Sequence, residues 1–128
     1  MKSLFKILVS LFFAFSISQA AAFEKDAKFR TTTVHISLQK PLSVGSNTLI
    51  LDLRLKGKLS DGAKVRVKAF MPAMPGMPAM ESKADAKDLK NGKYEANVNL
   101  AMRGTWQLHI FIKPVDGKKL RVKSSLNF

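Results

Sequence analysis

Hydrophobic and polar residues alternate along most of this chain. Val34, Ile36 and Leu38 share one face of segment 33–38. Leu49, Leu51, Leu53 and Leu55 share one face of segment 48–56, with Asp52 and Arg54 opposite. Segment 64–71 sets Val65, Val67, Ala69 and Met71 against Lys64, Arg66, Lys68 and Phe70. Tyr94, Ala96, Val98 and Leu100 align in 92–100, and Trp106, Leu108, Ile110 and Ile112 align in 105–113. In 118–126 the row is Leu120, Val122 and Leu126, interrupted by Ser124. A period of two marks half-buried strands. Turn signals separate the rows: the stretch from Pro41 to Asn47, then Ser60-Asp61-Gly62, Asn91-Gly92 and Asp116-Gly117. The charged segment 81–90, ESKADAKDLK, reads as one helical turn or a loop. Together these predict an all-β fold, an antiparallel β-sandwich of about seven strands.

The N-terminus breaks the pattern. Lys2 and Lys6 precede a run without charge from Ile7 to Phe23, and small residues follow at Ser18, Ala20, Ala21 and Ala22. A charged start, an apolar stretch and a small-residue site are the grammar of a secretory signal peptide. Residues 1–22 are therefore read as a leader, cleaved after Ala20 or Ala22, and 23–128 as a single domain. The rival reading is an uncleaved anchor, although the apolar run is short beside the roughly 20 residues a span needs. Export predicts a periplasmic location. The chain has no cysteine, so its core must hold without disulfides and no thiolate ligand is present.

The formal net charge is +13, of which Lys2 and Lys6 contribute two. Lysines are spread over the whole domain, which suits an acidic partner or an anionic surface. Export argues against nucleic acid. Membrane contact is expected only if the N-terminal segment stays attached. The positive field repels free metal cations, so any metal site has to succeed through its ligands.

One segment carries a candidate chemistry. In MPAMPGMPAM, Met71, Met74, Met77 and Met80 fall at three-residue spacing, although the chain has only six methionines. Thioether sulfur is a soft, uncharged ligand suited to Cu(I), with Ag(I) as a mimic. Proline favours polyproline II, whose three residues per turn would set all four methionines along one edge, about 9 Å apart. Met74-Pro75-Gly76-Met77 instead fits a type II turn, which brings its outer Cα atoms within about 7 Å. Two thioethers then converge, and Met71 or Met80 completes a three-coordinate site. Met71 also continues the apolar face of its strand, so it is read as core before ligand. Met102 is read as core or edge. Imidazole also binds copper, which makes His35 and His109 further candidates, both on strand faces opposite the apolar rows.

The domain as a whole resembles the YtkA-like family, which includes the domain of FixH proteins. The resemblance rests on PLSVGSNTLILDL, VRVKAFMPAMPGMPAM and GKYEANVNLAMRGTWQLHIFI in that order. It implies an immunoglobulin-like sandwich outside the cytoplasm. The Met-rich loop is similar to that of copper resistance determinant proteins of the CrdA type, which work beside tripartite efflux pumps. Carried over, this implies Met74 and Met77 as ligands, with Met71 and Met80 beside them, and an efflux-pump adaptor or another periplasmic copper protein as partner. Family members often place a histidine in or just after the Met-Pro motif. Here Glu81 follows Met80, which removes a nitrogen donor of the kind Cu(II) prefers.

No Ser-His-Asp arrangement, paired-histidine motif or phosphate-binding glycine loop is present in the sequence, so an enzyme is not expected. The expected function is a periplasmic Cu(I)-binding protein for copper tolerance, which sequesters copper or delivers it to an efflux system. The alternatives are a metal-free basic interaction module and, from the tie to FixH, an accessory protein for respiratory oxidase assembly.

Overall fold

The computed structural model describes residues 23–128. The leader read in 1–22, with its two cleavage positions, lies outside the described residues. Among the described residues there are ten strands and no helix: β1 (Phe23–Phe29), β2 (Thr32–Leu38), β3 (Gly45–Leu55), β4 (Lys58–Leu59), β5 (Lys64–Met71), β6 (Met80–Asp85), β7 (Lys87–Lys90), β8 (Lys93–Leu100), β9 (Thr105–Lys113) and β10 (Leu120–Asn127). They form two antiparallel sheets. The first runs β1-β2-β3-β8-β7 with β4 attached to β3, and the second runs β10-β9-β5-β6. The architecture is the expected β-sandwich, built from ten strands where the alternation predicts about seven.

The added strands are short or sit at sheet edges. Segment 81–90 is neither helical nor a loop: its first half is β6 and its second half β7. The inward positions of β6 beyond Met80 are Ser82 and Ala84, too small and polar to register as an apolar row. β1 buries only Ala27 fully, and its other positions are mostly charged. Between β6 and β7 the chain changes sheets at Ala86, whose N–H donates to the Val65 carbonyl at 2.8 Å.

The inward rows meet as the alternation requires. Leu49, Leu51 and Leu53 of β3 and Tyr94, Ala96, Val98 and Leu100 of β8 face Val65, Val67 and Ala69 of β5 and Trp106, Leu108, Ile110 and Ile112 of β9. Among the described residues, the fully buried apolar side chains run from Ala27 to Leu126 and form one contiguous core. Since the side-chain period is two, a one-residue slip would turn an entire row to solvent. Burial of these rows therefore fixes the register. Ser124 sits in the inward row of β10, and its buried hydroxyl has no hydrogen-bond partner among the described residues.

The register gathers the connections at two ends of the sandwich. One end holds the β2–β3 link, the β5–β6 connection 72–79, and Gly104, which exchanges backbone hydrogen bonds with Phe128 at 3.2 and 3.3 Å. The other holds the β1–β2, β3–β4, β7–β8 and β9–β10 turns together with the crossing at 60–63. Tyr94 secures that crossing. Its buried hydroxyl accepts from the Ala63 N–H at 3.0 Å and donates to the Ser60 carbonyl at 2.8 Å. Replacing Tyr94 with Phe keeps the ring and strands both backbone groups. The expected cost is about 1–3 kcal/mol, the usual penalty for unsatisfied buried polar groups, read as a lowered urea midpoint with an unchanged m-value.

Candidate metal centre

The Met-Pro segment is built by proline's missing N–H. β5 and β6 pair as far as Met71 opposite Met80. Over the next two steps of that register Pro72 falls opposite Ala79 and Pro78 opposite Ala73; neither proline has an N–H to donate to a ladder, and regular pairing stops. The next methionines regain it. The Met77 N–H donates to the Met74 carbonyl at 2.8 Å, and the Met74 N–H donates to the Met77 carbonyl at 3.0 Å. Pro75 holds φ near −65°, which excludes the I′ and II′ turns usual in two-residue hairpins because both need a positive φ at that position. Gly76 has φ +80°, the value a type II turn requires at its second central residue. The predicted turn is present.

The four methionines thus form two cross-strand pairs on one hairpin axis, Met71 with Met80 and Met74 with Met77. They do not line a polyproline edge. The reverse turn folds the segment back on itself, and the two pairs meet different surroundings. Met71 is 4% exposed and belongs to the core. Met80 is half-buried against the core, as is Met102. Gly104, at φ +141°, makes room for Met71: a Cβ there would lie 2.9 Å from the Met71 methyl. Met74 and Met77 are 46% and 37% exposed. Residues exchanging both backbone hydrogen bonds put their side chains on one face, with Cβ atoms about 5 Å apart. The outer pair is therefore two adjacent, solvent-facing thioethers on a fixed backbone.

Sequence spacing already contained these pairs. A hairpin centred on Pro75-Gly76 matches Met74 with Met77 and, three positions further out on each side, Met71 with Met80. What sequence reasoning missed is Gly104 as the residue against which the Met71 methyl packs.

The histidines lie elsewhere. His35 is on the outer face of the first sheet, between Asp26 and Asp52 in the strand register. Its Nδ1 is 2.5 Å from Asp26 Oδ1, and its Nε2 is 3.8 Å from Glu24. His109 is on the outer face of the second sheet, edge-on to Phe70 and Phe111 at centroid distances of 4.9 and 6.1 Å. It pairs with Lys68, six positions back along the chain from Met74. The structure brings neither histidine to the outer methionine pair. Among the described residues, no three His, Asp or Glu side chains are grouped to hold a metal.

The two imidazoles have opposite electrostatic surroundings. The Asp26 hydrogen bond, with the charges of Asp26, Glu24 and Asp52, holds His35 above its ordinary pKa. Partial burial, with the charges of Arg121, Lys123 and Lys68, holds His109 below it. By linkage, the stability His35 contributes is fully present below its unfolded pKa of about 6.5 and is lost as pH rises through the higher folded value. The contribution of His109 has the reverse sign: it is present above about 6.5 and lost as pH falls through the lower folded value. Proton NMR of the two C2 signals should give titrations on either side of 6.5. His35→Gln should remove the upper one and flatten the loss of stability above neutral pH.

A family model described as YtkA-like matches residues 26–111, which include the whole Met-Pro hairpin. No curated protein and no solved structure matches the chain.

Proposed function

We propose that this chain, which belongs to the YtkA-like family, is a periplasmic Cu(I)-binding protein whose primary ligands are Met74 and Met77. The observation that carries this reading is the reciprocally hydrogen-bonded pair at the hairpin tip, which holds two exposed thioethers side by side. A purely structural turn has no need of large apolar side chains at an exposed tip. Soft sulfur in an uncharged set selects Cu(I), with Ag(I) as mimic, over harder divalent cations. The resemblance of the Met-rich loop to CrdA-type copper resistance proteins points the same way.

The inner pair has a different role in this proposal. Met71 is locked into the core and is a packing residue. Met80, opposite Met71 at the base of the hairpin but only half-buried, is the more accessible third donor. Two thioethers leave Cu(I) open to a further ligand, so a partner can take the ion by ligand exchange at the tip while the sandwich stays folded. That suits sequestration followed by delivery to an efflux component or another copper protein. The chain is read as a binding protein and not as an enzyme.

The test is an anaerobic Cu(I) titration against a chromogenic competitor. Met74→Ile/Met77→Ile should abolish competition while leaving the thermal midpoint nearly unchanged, since both side chains are exposed. Met71→Ile should do the reverse. Reshaping this buried site should lower stability by about 1 kcal/mol, with copper binding retained. A double variant that still competes at full strength would refute the ligand assignment. Absence of competition by the native domain would instead favour the metal-free reading, in which isoleucine preserves an apolar docking tip.

A further inference from the structure

We infer that the end of the sandwich opposite the methionine hairpin docks on an anionic phospholipid surface. The turns gathered there span 28–32, 56–62, 88–93 and 113–119, and they carry nine lysines and arginines against three carboxylates. Two of those carboxylates are engaged by backbone N–H groups of the turns themselves. Asp61 accepts from the Gly92 N–H, and Asp88 accepts from the N–H groups of Gly62 and Lys90 at 2.8 and 2.7 Å. Asp116 remains, outnumbered within its own turn by Lys113, Lys118 and Lys119.

Each turn also presents a large apolar side chain to solvent: Phe29, Leu59, Leu89 and Val115, the last 71% exposed. Each has a cation within three residues: Lys28 and Arg30, Lys58, Lys90, and Lys118. These tips stand on four separate turns and do not line one groove, so they offer no slot for a peptide. Apolar tips ringed by cations match the layering of a bilayer surface, where apolar groups enter the acyl boundary and cations meet anionic headgroups. Beside Phe29, a recess lined by Lys28, Arg30, Lys119 and Arg121 is suited to a headgroup phosphate.

The backbone gives an independent indication. Arg30, Lys56 and Lys90 have φ values of +55°, +52° and +71°. Left-handed positions cost a residue with a Cβ, and glycine or asparagine fills them at less cost. Three such positions at this one end hold a cation instead. Retaining charge against that local cost is expected of a surface that uses it.

The proposal is independent of the copper reading, and it removes the condition that membrane contact needs the N-terminal segment. It also sets an orientation. β5 runs from Lys64 at the docking end to Met71 at the base of the hairpin, roughly 25 Å at strand rise, so the thioethers face away from the membrane.

Flotation of segment 23–128 tests this, with vesicles of phosphatidylcholine alone and of phosphatidylcholine with roughly one part in four phosphatidylglycerol. Binding should be confined to the anionic vesicles and weaken with salt. Lys118→Glu/Lys119→Glu should lower partitioning by at least about tenfold, and Phe29→Ser/Val115→Ser should lower it several-fold. Binding equal on both vesicles, or absent from both, overturns the proposal. So does binding that depends on the lysines and ignores the apolar tips, because it would be diffuse charge attraction. The chain has no cysteine, so a polarity-sensitive dye can be placed at one site. Val115→Cys should shift to the blue on anionic vesicles, and Ala79→Cys, in the exposed hairpin, should not. An equal response at both sites would overturn the orientation.

Discussion

The inward row of β5 is the constraint on which the methionine-bearing end depends. Val65, Val67, Ala69 and Met71 are buried against the opposite sheet, and no disulfide supplements that burial. With the row fixed, β5 cannot slip, because a shift by one would exchange it for Lys64, Arg66, Lys68 and Phe70. The register with β6 then follows, Met71 opposite Met80. The reverse turn at Pro75-Gly76 then has one place to form. The exposure of Met74 and Met77 is thus a consequence of packing several residues away. Gly104 belongs to the same constraint, since its missing side chain leaves room for the Met71 methyl at the base of the hairpin.

Four chemically identical side chains thereby acquire different roles. Equal spacing alone would make them equivalent, and a polyproline helix would keep them so. A hairpin divides them into an inner and an outer pair. Proline sharpens the division by removing the donors that would continue the ladder between the pairs. The distinction between core and candidate ligand is therefore topological, and it separates substitutions that change stability from those that change metal binding.

The strands with strong alternation were legible from the residues, and β5 matches its expected span of 64–71. The type II turn was legible too, because proline and glycine at its centre restrict the backbone locally. The missed strands share a physical reason. β1, β6 and β7 lie at or near sheet edges, where small or charged residues suffice, so burial leaves little trace in composition. Missing β1 also hid the environment of His35, whose carboxylate neighbours Glu24 and Asp26 both belong to that strand. The cationic end was invisible for another reason. Its turns are distant in sequence and only the topology brings them together, so scattered lysines read as an evenly basic surface.

The outer pair also joins two properties that usually conflict. Proline, glycine and two backbone hydrogen bonds fix where the Met74 and Met77 Cα atoms stand, so little backbone freedom remains to be lost on binding. The side chains keep three rotatable bonds each, and their exposure leaves those bonds free. In the proposed reading, capture is favoured by the rigid backbone and release by the mobile sulfurs, which can follow the ion as a partner's ligand displaces one of them. A buried three-thioether site would bind more tightly and release more slowly. The long-range repulsion between the basic domain and a free cation acts in the same direction. It disfavours capture of bare ions and favours exchange with an acidic copper-carrying partner, whose own charge the domain would attract.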